Sequence, residues 1–240
     1  MLPLAKIRVT WGNHDSRVFA IHSNILKHRS PFFKTLLESN TKAAGIKNEL
    51  EEGNPSEQDM TSTIEFEGSI VAFRLYTEWI YSGRIQRGLS NGEGTTEDTS
   101  LHNIGQAYIL GERLQDCKFK NAIVDFLLET IVTQGKMDLT LPTLIFDKTS
   151  VSAPLRKLLV DLYVLYGHQD WLKPDGSNES TISAAFLSDL STAFLARSNP
   201  SDLPTTNSSA FSAFKYYEYP EGQPISFRTS HPREIDEPKP

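Results

Sequence analysis

Between Lys6 and Trp11 the chain alternates, with Ile7, Val9 and Trp11 on one side and Lys6, Arg8 and Thr10 on the other, the pattern of a half-buried strand. Gly12-Asn13-His14-Asp15-Ser16 supplies turn chemistry, and Arg17-Val18-Phe19-Ala20-Ile21 is β-branched and aromatic enough to return as the second strand of a hairpin. Two short helices are predicted next. Ser23 is placed to cap the first, which carries Ile25 and Leu26. Ser30-Pro31 opens the second, because a hydroxyl accepts from the free amides of a first turn and proline needs no partner for an amide it lacks. Phe32, Phe33, Leu36 and Leu37 recur at four-residue offsets and must be buried along one helical face.

From Ser39 to Ser62 the periodicity is lost, while Gly45, Gly53, Pro55 and the acids Glu49, Glu51, Glu52, Glu57 and Asp59 predict a long exposed loop over residues 39–62. Thr63–Glu67 alternates again as a third strand, with Ile64 and Phe66 inward. Ser69 is placed to cap a helix running to about Tyr81, and Gly83 stands where a left-handed C-terminal cap is wanted. A second polar insertion, Gly88 to Ser100, precedes a helix with Ile104, Ala107, Tyr108, Gly111 and Leu114 on one side. The next helix is marked by Phe119, Ala122, Ile123, Phe126 and Leu127.

Beyond Gly135 the strand signals stop. Leu155, Leu158, Leu159, Leu162 and Leu165, then Ile182, Phe186, Leu190 and Phe194, predict two helices of an annex that needs a surface to pack on. From Pro200 onward proline, serine and threonine crowd together, so the tail is expected to be largely disordered or draped over the fold. Tyr216, Tyr217 and Tyr219 lie in that tail and must either dock back on the fold or wait for a partner.

Composition narrows the function classes. The 240 residues carry 24 Lys and Arg against 30 Asp and Glu, a net charge of −6, so no basic field is available to hold a phosphate backbone and nucleic-acid binding is disfavoured. Apolar stretches are interrupted by Asp125, Glu129, Lys157 and Asp161, and the N-terminus lacks the basic-then-apolar layout of a secretory signal. The expectation is a soluble protein of the cytoplasm or nucleus with no membrane partner. The single cysteine, Cys117, excludes an internal disulfide and a cysteine-rich zinc site, and reads as a small core-facing thiol. None of the six histidines has a second one three or four residues away on a helix, so no metal site is predicted. Without a Gly-x-Ser-x-Gly elbow, a phosphate-cradling loop or a dinucleotide-binding fingerprint, no catalytic residue and no cofactor are assigned, and the expectation is a protein that is not an enzyme.

A hairpin, two short helices, one strand and three more helices is an α+β arrangement with helices clustered around a small sheet. Within it, Phe19-Ala20-Ile21-His22-Ser23-Asn24-Ile25-Leu26-Lys27-His28-Arg29-Ser30-Pro31-Phe32-Phe33 resembles the signature of the BTB/POZ domain. Ile64-Glu65-Phe66 and the stretch Ala72 to Gly83, ending Ile80-Tyr81-Ser82-Gly83, are similar to that family's strand and helix end. The segment Ser152 to Asp161 is similar to the helical extension of the stand-alone BTB proteins of filamentous fungi.

The resemblance implies a BTB/POZ-like domain over residues 1–132, a helical extension over 133–198 packed on it, and a tail over 199–240. It implies a non-catalytic protein-binding module that forms a homodimer or a heterodimer with another BTB chain, or that recruits a substrate to a cullin-based ubiquitin ligase. A scaffold or transcription-linked oligomerisation factor without a ubiquitin role is the alternative, and an enzyme with an unrecognised site a distant third. Pro3-Leu4-Ala5 departs from the aspartate with which the family often opens, and the few residues before the first strand leave no room for the N-terminal helix of swapped dimers. In the signature, Phe19, His22, Leu26, Ser30, Phe33, Tyr81 and Gly83 are expected to be architectural, with His22 bonding backbone at a strand-to-helix corner. Leu50-Glu51-Glu52 matches the apolar-x-Glu triplet of cullin-binding members, so Leu50 and Glu52 are the candidate partner-binding residues. The plain alternative is a solvated acidic loop.

Overall fold

In the computed structural model, residues 3–12, 15–48, 63–85, 100–135, 137–172, 182–197 and 213–219 are described. Strands β1 (Leu4–Trp11) and β2 (Asp15–His22) pair antiparallel, with Ile7 opposite Phe19 and Leu4 opposite His22. Strand β3 (Ile64–Glu67) joins the other edge of β1 in parallel, Ile7 opposite Ile64, giving a mixed sheet in the order β2-β1-β3. The period-2 alternation sends Ala5, Ile7, Val9, Phe19, Ile21, Ile64 and Phe66 to one buried face. Trp11, expected on that face, is 46% exposed, because the pairing of β3 with β1 stops at Thr10 and the packed face ends there.

Helices α1 (Ser23–Arg29) and α2 (Pro31–Asn48) follow β2. The cap of α1 is His22 rather than Ser23, whose amide instead donates to the carbonyl of Pro3. Helix α2 runs through residues 39–48, which the sequence pattern assigns to a loop. The stretch 38–44 (Glu-Ser-Asn-Thr-Lys-Ala-Ala) lacks apolar periodicity, but its Glu, Lys and Ala residues favour the helical backbone. Residues 49–62 of that expected loop lie outside the described residues.

Helix α3 (Ile70–Ser82) has the start and stop expected of it. Ser69 Oγ accepts from the Ala72 amide at 3.2 Å, and Gly83 closes the end at φ 69°, a conformation a side chain would strain. Its rings sit at the centre of an aromatic cluster, Phe73 lying 4.9 Å from Phe19 and 5.6 Å from Phe66 between ring centroids. Helices α4 (Leu101–Leu114) and α5 (Cys117–Gln134) bury the residues predicted for their inner faces, Ala122 being only half-buried. A Cβ at Gly111 would stand 2.7 Å from Lys120 Cγ and 3.1 Å from Phe119 Cδ1, so the absent side chain lets α4 and α5 approach closely.

Among the described residues three further α-helices follow: α6 (Thr140–Lys148), α7 (Pro154–Tyr166) and α8 (Ala184–Arg197). Helix α6, which periodicity did not predict, lies on α4, where Leu141 and Leu144 crowd Gly105. Arg156 of α7 is buried and donates to the Phe146 carbonyl of α6 at 2.7 Å while its guanidinium lies over the Phe146 ring. Leu155, Leu158, Leu159 and Leu162 are buried as expected, whereas Leu165 and Phe194 emerge near the ends of their helices, 40% and 47% exposed. One continuous set of buried side chains runs from Ala5 in the sheet to Tyr216 in the tail.

Candidate functional site

Two polar constructions stand out on this frame, one foreseen in sequence and one not. The first gathers the signature residues. At the corner where β2 becomes α1, the His22 amide donates to the Tyr81 hydroxyl oxygen at 3.1 Å, and Nδ1 of the same residue lies 2.8 Å from that oxygen. The amide can only donate, so the phenol oxygen accepts there, and the imidazole Nδ1 completes the contact as donor or acceptor according to its tautomer. The last turn of α3 is thereby fastened to the corner. Leu26 and Phe33 are fully buried beneath it, and Phe19 stacks obliquely on Phe73.

Ser30 makes the longest-range tie of the set. Its hydroxyl accepts from the Phe33 amide at 3.2 Å, capping α2, and donates to the Leu114 carbonyl at the end of α4 at 2.8 Å. The residue is 1% exposed, so both bonds are made away from bulk solvent. Leu50 and Glu52, the candidate partner contacts, lie outside the described residues, as does His14.

The second construction is carried by α4, α5 and α7 and receives residues 213–219 from the tail. A 3₁₀ turn (Ala213–Tyr216) buries Tyr216, whose hydroxyl donates to Asp161 Oδ2 at 2.6 Å. Tyr217 donates to Asp125, and the Glu218 carboxylate accepts from Lys120 and, at 2.8 Å, from the Tyr108 hydroxyl. Lys120 is also bonded to Glu112 at 2.8 Å. Burial works against the Lys120 charge, but the hydrogen bonds it donates to both glutamates outweigh that and hold the ammonium above its usual range. Burial raises the phenols of Tyr108 and Tyr216, and the neighbouring carboxylates Glu218 and Asp161 raise them further, so both remain donors.

Sequence reasoning identified the tyrosines but not Lys120, Glu112, Asn121, Asp125 or Asp161. One signal was present: Lys120, Ile123, Val124 and Leu127 share the buried stripe of α5, and a lysine on an apolar stripe demands an anionic partner. Nearby, Asp116 caps α5 by accepting from the Phe119 amide at 3.0 Å, and desolvation raises its carboxyl despite that bond. Cys117 opens α5, half-buried rather than in the core, and burial raises its thiol, the opposite of what an activated nucleophile requires.

Among the described residues no group of three or more His, Cys, Asp or Glu side chains could hold a metal ion, and no helix is long and apolar enough to cross a membrane. Two cavities of about 320 Å³ are open to the surface, one beside Glu112, Ser150, Ser152 and Tyr217 and the other beside Trp11, Asp15, Ser69 and His102. The chain matches no protein-family model and no curated protein at a significant level.

Proposed function

We propose that the chain is a BTB/POZ-like protein-interaction module that works by assembly: one face of the α+β platform binds a second BTB-like chain, itself or another, or a cullin scaffold, while the remainder selects a second protein. The observation that carries this reading is the role of the signature residues. Phe19, Leu26, Ser30 and Phe33 are buried in the core, Tyr81 bonds His22 across the corner, and Gly83 supplies a helix stop, so the residues that carry the resemblance serve architecture and leave the surface for recognition. The stretches that carry the resemblance lie on a hairpin, two helices, a strand and a capped helix.

Two measurements test it together. Light scattering on the purified chain reads self-assembly, and capture of a cullin from the native cell reads adaptor function. Under the adaptor reading, Leu50→Ala and Glu52→Lys each weaken cullin capture about tenfold, the scale of losing an interface anchor. A dimer that captures no cullin identifies the oligomerising scaffold instead. A strictly monomeric chain that retains no BTB-like or cullin partner overturns the proposal.

A further inference from the structure

Residues 213–219 are held as a bound peptide is held. They contribute one 3₁₀ turn and an extended run to the body of the protein and add no strand to its sheet. The attachment is made by side chains of the body reading the segment. Asn121 clasps the Glu218 backbone from both sides, its Oδ1 accepting from the amide at 2.8 Å and its Nδ2 donating to the carbonyl at 2.8 Å. That double bond reads peptide backbone irrespective of sequence, while the neighbouring groups read side chains: Asp161 and Asp125 take phenol hydroxyls, and Lys120 with Tyr108 takes a carboxylate.

Lys120 is paired with Glu112 as well as with Glu218, so loss of the segment would leave the ammonium one anionic partner. Alongside lies the cavity of about 320 Å³, walled on one side by Tyr217, Glu218 and Tyr219 of the segment and on the other by Glu112, Ser150 and Ser152 of the body.

We propose that the groove formed by α4, α5 and α7 is a peptide-recognition site for a Tyr-Tyr-Glu sequence, that the chain's own Tyr216-Tyr217-Glu218 is its intramolecular occupant, and that a partner protein bearing the same chemistry docks by displacing it. The inference deepens the reading of the chain as a protein-interaction module by assigning a surface to the second partner. Because the groove is assayed directly, its failure leaves the oligomerisation and cullin tests standing, and their failure leaves it untouched.

The test uses the full chain and a fluorescent peptide of residues 211–221, Phe-Ser-Ala-Phe-Lys-Tyr-Tyr-Glu-Tyr-Pro-Glu. The tether holds the internal segment at an effective concentration of order millimolar. Disabling it with Tyr216→Ala and Glu218→Gln together therefore raises affinity for the added peptide at least about tenfold over the wild type. Adding Lys120→Glu to that variant abolishes the gain.

Circular dichroism and melting check that the variants fold. The single Glu218→Gln, which keeps the buried Tyr216 ring, gives a smaller gain in the same direction. A measurement on the unmutated chain needs no variant: excess unlabelled peptide speeds amide hydrogen exchange at Glu218, whose amide is bonded to Asn121. A folded double variant that binds no peptide, binding indifferent to Lys120→Glu, or exchange at Glu218 unmoved by saturating peptide overturns the inference.

Discussion

Replacing Ser30 by alanine removes one oxygen and two hydrogen bonds from a site that is 1% exposed. The first loss is the cap on α2, worth about 1 kcal/mol. The second leaves the Leu114 carbonyl without the hydroxyl that approaches it at 2.8 Å, and a buried acceptor deprived of its partner costs about 1–3 kcal/mol. The two together come to about 3 kcal/mol, which for a chain of this size lowers the melting temperature by about 6–12 °C. Ser69→Ala supplies the internal standard, because Ser69 caps α3 through the Ala72 amide in the same way at a less buried position, and its loss should stop near 1 kcal/mol. Urea and thermal denaturation of both variants, followed by circular dichroism, measure the difference. If Ser30→Ala costs no more than Ser69→Ala, the link between the start of α2 and the end of α4 carries no energy and the argument for Ser30 as a structural tie fails.

Tyr81→Phe removes the acceptor of the His22 amide, but Tyr81 is 49% exposed and water can take its place, so urea titration should show a loss below about 1 kcal/mol; a larger loss would mean the corner is drier than its exposure implies. Thr143 buries a hydroxyl with no hydrogen-bond partner among the described residues, so the near-isosteric Thr143→Val should be neutral or stabilise by up to about 1 kcal/mol, and destabilisation in the same titration would reveal a partner for that hydroxyl. Tyr76, Tyr108, Tyr163 and Tyr216 are all held above the ordinary phenol value, first by burial and then by carboxylate neighbours, whereas in the unfolded chain they ionise near pH 10. The folded state keeps protons that the unfolded state gives up, so stability is full below about pH 10 and falls as the pH rises above it. Lys120 adds to the same decline, because the unfolded lysine gives up its proton near its ordinary value while the folded one still holds it. Phenolate absorbance and urea midpoints recorded across that range check this, and ionisation of these tyrosines ahead of unfolding would refute it.

Where a residue's role is set by its immediate neighbours in sequence, the pattern was readable. Ser69 and Gly83 mark the ends of α3, the alternation of Ile64 and Phe66 marks β3, and Gly111 marks the close approach of α5. What stayed hidden was set by partners far along the chain. Helix α6 carries Pro142 in its first turn and threonines at 140 and 143, a composition without helical preference, and it forms because Leu141 and Ile145 bury themselves completely. The tail groove depends on Lys120 meeting Glu218 across 98 positions and on Tyr216 meeting Asp161 across 55, and no local spacing announces such pairs. The signature residues were legible as a set, yet the hydroxyl of Ser30 reaching Leu114 across 84 positions was not.

The sheet order β2-β1-β3 gives the two connections of β1 very different tolerances for changes of length. Its link to β2 is a hairpin whose register is fixed by the turn between Trp11 and Asp15, so adding a single residue there threatens to turn Phe19 and Ile21 outward. Its link to β3 passes through α1, α2 and the chain between Asn48 and Ile64, and closing a connection of that kind becomes dearer only logarithmically, by about 0.6 kcal/mol for each doubling. The parallel ladder itself requires that Ile64 arrive beside Ile7 and Phe66 beside Val9. Lengthening the chain between Asn48 and Ile64 should leave the melt nearly unchanged while slowing refolding, because the parallel ladder must wait for the longer search.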